Sequence, residues 1–272
     1  MTKIPQRARV FITGAGSGLG RALAVEFAKE RGAYVVATDV DKVRADETVA
    51  LVRAAGGDGH AAVLDVRDAG EFAKVAADAG DIDVVVNNAG VAVAGAMGET
   101  SLEDWKFIMD INLWGVIHGC HVFAPKLKAR GRGHLLNVAS AAGIATLPEM
   151  GAYNTTKAAV IALSETLYGE LGPKGVGVSV LCPTFFATNL MDSFRAPTAA
   201  SRKKAEAFFK QSKVTAEQVA SSTIRSMEKG RLHILPMRDA RSVWRLKRLS
   251  PQRFLDGSMK MQARFERWLH KQ

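Results

Sequence analysis

The chain is expected to form a single α/β domain, a doubly wound parallel sheet with helices on both faces. Short Val/Ile-rich runs alternate with helical stretches through the first two-thirds of its 272 residues. Strand–helix–strand repetition of this kind builds a parallel sheet through right-handed crossovers. The runs also lack polar alternation, as parallel strands covered on both faces do. Hydrophobic residues make up 47% of the chain, enough for a full-sized core.

Taken in order, Arg9–Thr13 is a strand, Gly18–Arg31 a helix and Tyr34–Asp39 a second strand. A helix over Val43–Ala54 leads to a third strand, His60–Asp65. Asp68–Ala79 is helical and Ile82–Asn87 is the fourth strand. Two long helices follow, Leu102–Arg130 and Ala152–Leu171, with strands at His134–Ala139 and Gly177–Cys182. Residues 184–214 carry little strand pattern and are expected to form a mobile loop with a helix. Ala216–Lys229 is helical and Leu232–Leu235 is a short last strand. With no linker or repeat, residues 1–236 read as one domain and 237–272 as an extension of it.

Composition narrows the function. No apolar run reaches the roughly 18–20 residues of a membrane span, and the N-terminus lacks a signal-type apolar stretch. The expectation is a cytoplasmic protein. Cys120 and Cys182 sit in apolar surroundings and suggest buried thiols. His118 and His121 share a helix face, but no carboxylate or cysteine joins them, so no metal is expected. The net charge is +10, and residues 231–272 hold eleven Lys/Arg against three Asp/Glu. The basic excess therefore belongs to the tail, and no recognised module accompanies it, which argues against nucleic acid.

The chemistry starts at Gly14-Ala15-Gly16-Ser17-Gly18-Leu19-Gly20, between the first strand and first helix. Glycines there permit a tight turn and let backbone N–H groups at a helix N-terminus meet a pyrophosphate. This is the setting of a Rossmann-type dinucleotide site, although the spacing Gly14-x-x-x-Gly18-x-Gly20 departs from the commoner fingerprint. Asp39 ends the second strand, near the offset of about 20 residues at which an acid meets the adenosine ribose. Its carboxylate accepts ribose hydroxyls and repels a 2′-phosphate, and neither Ser17 nor Val40 adds positive charge. NAD is therefore favoured over NADP. Asp65 and Val66 offer acceptors to an adenine amine. Asn88, Ala89 and Gly90 put small residues at the carboxyl end of the fourth strand, where backbone can lie against a cofactor; Asn87 and Asn88 equally suit backbone turns.

Tyr153 and Lys157 are four residues apart on one helix and share a face. Ser140 ends a strand thirteen residues earlier. Reducing a carbonyl by hydride creates an alkoxide that needs a proton, and the reverse needs a base. A tyrosine is a poor base at its usual pKa of roughly 10, and a neighbouring ammonium lowers that value. Ser140 is placed to hydrogen-bond the substrate oxygen.

The order Thr13-Gly14-x-x-x-Gly18-x-Gly20, Asn87-Asn88-Ala89-Gly90, Asn112, Ser140, Tyr153-x-x-x-Lys157 resembles the classical short-chain dehydrogenase/reductase family over residues 7–190. The resemblance implies that Tyr153 is the general acid/base and that Ser140 orients and polarises the substrate oxygen. It implies that Lys157 binds the nicotinamide ribose and lowers the Tyr153 pKa, and that Asn112 holds a water in a proton relay. Pro183 and Thr188 match the segment that contacts the nicotinamide, although Thr184 stands where the family has glycine. The long middle helices resemble those that form homodimers or homotetramers.

Phe185, Phe186, Leu190, Met191, Phe194, Phe208 and Phe209, with Ile144, Leu147 and Met150, suggest an apolar pocket for a hydrophobic secondary alcohol or ketone. An NADPH-dependent ketoreductase and a non-catalytic cofactor-binding regulator are the rival readings. In the extension, Arg238, Arg241, Arg245, Lys247 and Arg248 interleave with Val243, Trp244, Leu246 and Leu249. Such a basic amphipathic segment suits either an anionic membrane surface or packing on its own domain or a sister subunit.

Overall fold

A computed structural model describes residues 3–184, 194–198 and 214–269. Seven parallel strands form one sheet: β1 (Arg9–Thr13), β2 (Tyr34–Asp39), β3 (Asp58–Val63), β4 (Val84–Asn87), β5 (His134–Val138), β6 (Gly177–Leu181) and β7 (His233–Ile234). Their order is β3-β2-β1-β4-β5-β6-β7, every pair parallel. The chain winds outward to β3, then returns past β1 to β4. The crevice at that reversal, at the carboxyl ends of the strands, is where ligands bind in open sheets of this kind.

Alternate residues of each strand feed opposite cores. Val10 and Ile12 of β1 face a cluster with α1 (Gly18–Arg31), α2 (Lys42–Ala54) and α8 (Ala216–Glu228), including Leu23, Phe27, Val52 and Ile224. Phe11 faces the other side, with Phe72 of α3 (Ala69–Asp78), Phe123 of α5 (Gly115–Arg130) and Leu167 of α7 (Gly151–Leu171). The Phe11 and Phe123 rings lie 4.9 Å apart between centroids. Removing either ring from so tight a core costs about 3–5 kcal/mol. Several helix starts are set locally. Asp41 and Asp68 each accept two backbone N–H groups, and Thr215 with Gln218 forms a reciprocal box at α8.

Several elements differ from the sequence reading. The third strand begins two residues earlier than expected, because pairing with Tyr34 starts at Asp58. It also ends two residues earlier than expected, at Val63, so Asp65 lies beyond it. The long helix expected over 102–130 is α4 (Leu102–Met109) and α5 joined through a π turn, Asp110–Trp114, which holds Asn112. Among the described residues this is the one stretch long and apolar enough to cross a bilayer. Its Val116, Cys120, Phe123 and Leu127 are instead buried against the sheet. A one-turn helix that the periodicity did not reveal, α6 (Ala142–Ala145), follows β5.

The extension also resolves into elements, α9 (Arg238–Leu249) and α10 (Pro251–Leu269). Ala240 is fully buried in the α1/α8 core, so α9 packs on its own domain. Leu246, Leu249 and Met259 remain exposed.

Candidate active site

The glycine turn is built from backbone. Gly14 and Gly18 have φ of 62° and 51°, the left-handed region that side chains disfavour. A Cβ on Gly14 would meet Ala89 Cα at 2.8 Å, and one on Gly20 would meet the Gly14 carbonyl oxygen at 2.2 Å. The turn therefore presses on the Asn88–Gly90 backbone and on its own helix. Asn88 fastens this contact, its Nδ2 donating to the carbonyls of Thr13 and Gly14 at 2.9 and 3.0 Å. Thr13, at the end of β1, accepts the Asn88 and Ala89 amides on Oγ1 at 2.9 and 3.0 Å. Thr13 opens the glycine motif in the sequence, but that reading gave it no role of its own. Ser17 begins α1 with an extended backbone and makes no side-chain cap, while Leu19 is buried beneath. A cradle floored by main chain and opening at a helix N-terminus fits a dinucleotide's pyrophosphate.

Asp39 stands at the rim. Its carboxylate accepts the Gly16 amide at 2.9 Å and the Asp41 amide at 3.1 Å. Two arginines that the sequence reading did not weigh border this corner. Arg21 donates to the Gly16 carbonyl, and the Arg44 side chain stands beside Gly16 while pairing with Asp41 at 3.2 Å. Asp65 faces Arg67 at 2.6 Å, and that hydrogen bond holds its carboxyl below the usual range. Its acceptor capacity toward an adenine is thus shared with an arginine. Val66 is buried, and its carbonyl pairs with His118 Nδ1 at 2.9 Å, which gives that histidine a structural partner.

The second half of the site gathers where β5, α6 and α7 meet. Ser140 follows β5; Tyr153 and Lys157 lie one turn apart near the start of α7, and both are buried, 8% and 4% exposed. Lys157 Nζ donates to the Val138 carbonyl at 2.9 Å and lies 5.8 Å from the Tyr153 ring centre. A Cβ on Gly90 would stand 3.5 Å from Lys157 Nζ and 3.2 Å from Asn112 Oδ1, so the dinucleotide cradle and the catalytic candidates are contiguous. Asn112 is fully buried, and its amide takes both main-chain groups of Val91, accepting the N–H at 2.8 Å and donating to the carbonyl at 2.9 Å.

Burial governs the electrostatics. It raises the Tyr153 phenol, a rise that its contact with Ser140 partly offsets, and it lowers the Lys157 ammonium to about 8. Proximity to Lys157 was expected to make the phenol acidic. In the protein by itself burial is the largest influence on each group, and it favours both neutral forms.

Of the apolar residues assigned to the pocket, Phe194 is buried in a cluster with Tyr153, Ile108 and Ala152, with Met150 packed against it. Trp105 and Phe107 join this wall and were missed, since their α4 positions read as core. Arg195 holds the wall shut from outside, with its guanidinium 3.6 Å from the Phe107 ring centre and 2.9 Å from Asp104. Ile144, within α6, and Leu147, just after it, are half-buried. Pro183 accepts the Ala141 amide at 2.8 Å and thereby closes on the Ser140 strand end. Thr188, Phe185, Phe186, Leu190, Met191, Phe208 and Phe209 lie outside the described residues.

Comparison with known proteins agrees with this arrangement. Residues 8–199 match the short chain dehydrogenase family. A Mycobacterium tuberculosis protein described as "Probable oxidoreductase EphD" is 43% identical over 195 residues, which are 69% of this chain and 33% of EphD. The chain thus aligns with only about a third of that relative. The 1-deoxy-11-beta-hydroxypentalenate dehydrogenase of Streptomyces exfoliatus is 33% identical over 88% of this chain and 90% of its own. Among solved structures, a short chain dehydrogenase/reductase from Burkholderia phymatum in complex with NAD superposes with a TM-score of 0.85 at 33% identity, covering 93% of this chain and 96% of that one. A Sphingobium yanoikuyae short-chain dehydrogenase in complex with NADPH reaches 0.77 at 26% identity, covering 92% and 95%. With the matched region spanning the glycine turn, Asn112, Ser140, Tyr153 and Lys157, the chain belongs to the short-chain dehydrogenase family of oxidoreductases.

Proposed function

We propose that this protein interconverts a hydrophobic secondary alcohol and its ketone with NAD as hydride partner, and that Tyr153 moves the proton. The observation that carries this reading is the convergence of Ser140, Tyr153 and Lys157 beside a backbone cradle reaching from Gly14 to Gly90. A bound nicotinamide supplies the hydride acceptor or donor; the chain's own residues do the rest. Tyr153, kept neutral by burial, is the proton donor to an alkoxide and, in the reverse direction, the acceptor of the hydroxyl proton. Ser140 orients the same oxygen. Lys157, lowered to about 8, is poised to pass a proton onward near neutral pH. Asn112 braces Gly90 and Val91 beside it, and the surrounding π turn is the candidate seat of a relay water.

Asp39 supports NAD, because its carboxylate opposes a 2′-phosphate. Arg44 favours the second reading, an NADPH-dependent ketoreductase, since its side chain starts beside Gly16 and its guanidinium, paired with Asp41, is near enough to turn toward a 2′-phosphate. The apolar wall of Phe194, Met150, Trp105 and Phe107 supports a hydrophobic substrate, as does the relative named for a hydroxypentalenate. Turnover of steroid-like, terpenoid and long-chain secondary alcohols, set against small polar alcohols with each cofactor, tests the proposal. The expected result is faster oxidation of the hydrophobic set with NAD. Turnover confined to small polar alcohols rejects the substrate class, and a strong preference for NADP rejects the cofactor.

A further inference from the structure

The Ser140 hydroxyl is aimed by two backbone segments, and helix α9 holds both. On one side the Ala142 amide donates to Ser140 Oγ at 3.1 Å; on the other, Ser140 Oγ donates to the Pro183 carbonyl at 3.4 Å. The first segment runs on through α6, where Lys247 Nζ donates to the Ile144 carbonyl at 2.6 Å and to Thr146 Oγ1 at 3.3 Å. The second continues to Thr184, whose hydroxyl donates to Asp239 Oδ1 at 3.3 Å. Asp239 and Lys247 are eight residues apart on α9, a span of about 12 Å along a helix axis. One rigid element thus bridges the two segments that set the direction of the serine.

The segment after Ser140 needs such a hold. Helix α6 has four residues, too few to be stable alone. It ends at Thr146 with φ of 54°, and Glu149 follows with φ of 58°, both in the left-handed region that a side chain disfavours. An ammonium donating to the last carbonyls of a helix satisfies groups that have no partner within it. The far side of α9 is anchored in turn. Arg248 lies 4.4 Å from the Trp244 ring centre, Trp244 is 5.9 Å from His233, and His233 Nε2 meets Glu165 of α7 at 2.7 Å.

We propose that α9 is a positioning element of the active site, in which Lys247 and Asp239 clamp the segments on either side of Ser140 and so fix its hydroxyl. The proposal rests on reading Ser140 as the residue that orients the substrate oxygen. Lys247 and Asp239 touch no reacting atom. Loss of Lys247, on the side away from the cofactor segment, is therefore read in turnover, while dinucleotide affinity, set by the Gly14–Gly20 turn and Asp39, stays as it was. The extension, for which a membrane surface, its own domain or a sister subunit were the expected partners, becomes part of the catalytic architecture.

Hydrogen–deuterium exchange of the full chain without ligands tests the clamp independently of any activity. Lys247→Met is expected to speed exchange of the Ala142 and Thr146 amides about tenfold, with the α1 amides unchanged. Lys247→Arg, which keeps a donor, is expected to restore parental exchange. In turnover, Lys247→Met and the milder Asp239→Asn are each expected to lower kcat about tenfold, with the KM for the dinucleotide unchanged in Lys247→Met. Parental exchange at Ala142 and Thr146 in Lys247→Met overturns the proposal, as does faster exchange with an unaltered kcat. Because exchange is read without substrate, it decides the clamp even where the alcohol panel fails.

Discussion

The two ends of the central sheet bury polar groups in opposite ways. At the amino end, Asp83 accepts the Arg9 amide at 3.0 Å and pairs with Arg130 at 2.7 Å. Arg130 also caps the Ile82 carbonyl, and the ring of the buried His134 shares a 2.9 Å hydrogen bond with Ser179. There charge meets opposite charge, and burial lowers His134 to about 4, so its ring stays uncharged. At the carboxyl end, Lys157 is buried against a neutral carbonyl, Tyr153 lies deep beside it, and the backbone of the glycine turn opens outward. Apart from His134 Nδ1, which has no hydrogen-bond partner, the polar groups named at the amino end are paired within the chain. The carboxyl end holds a buried ammonium that the proposed function gives a ligand to meet, and the fold bears the cost of keeping it there.

Replacing Lys157 tests the difference most strongly. Lys157→Met is expected to reduce turnover about 10³-fold and yet to raise the unfolding temperature of the ligand-free protein. The sign follows from its lowered pKa. Between 10.5 and about 8 the unfolded chain binds a proton that the fold does not, so stability falls as pH drops through that window and stays low beneath it. Methionine removes the deficit. A variant less stable than the parent at pH 7 would break the contrast between the two ends.

Asp39→Ser sharpens the contrast within the open end. Removing the carboxylate lifts its repulsion of a 2′-phosphate, and Arg44 stands beside the same corner. The ratio of kcat/KM for NADP over NAD is expected to rise about tenfold or more. An unchanged ratio would mean that Asp39 serves the turn alone, through Gly16 and Asp41.

The closed end predicts an effect on stability alone, confined to acidic pH and absent from turnover. His134 is uncharged in the fold, so its contribution is complete above 6.5 and is lost as pH falls toward 4. That share is about 3 kcal/mol. Denaturant midpoints across this range are expected to fall less steeply in His134→Asn, with turnover at neutral pH retained. Equal slopes would show that the ring does not stay neutral in the fold.

These two ends were not equally legible beforehand. The strands β1, β2 and β4 declare themselves as unbroken Val/Ile runs, and Gly14 to Gly20 between a strand and a helix declares a turn. Tyr153 and Lys157 announce a shared face by their spacing alone. What stayed hidden depends on contacts distant in sequence. Asp58-Gly59 has poor strand propensity, and pairing with β2 draws it in. Helix α6 has too few residues to show a period, and the π turn leaves no mark on the pattern that Asn112 interrupts. Lys247 looked like one more solvated charge in a basic run, because nothing local tells that it reaches Ile144. Arg195 gained its meaning only when the chain returned beside Val93.

The central claim is that the Tyr153 phenol carries the proton at the open end of the sheet. It is tested most directly by following nicotinamide absorbance during a single turnover of a hydrophobic secondary alcohol by Tyr153→Phe. The account predicts a rate about 10³-fold below the parent, with dinucleotide affinity retained, because only the proton carrier is gone. Hydride transfer at the parental rate by that variant would contradict it.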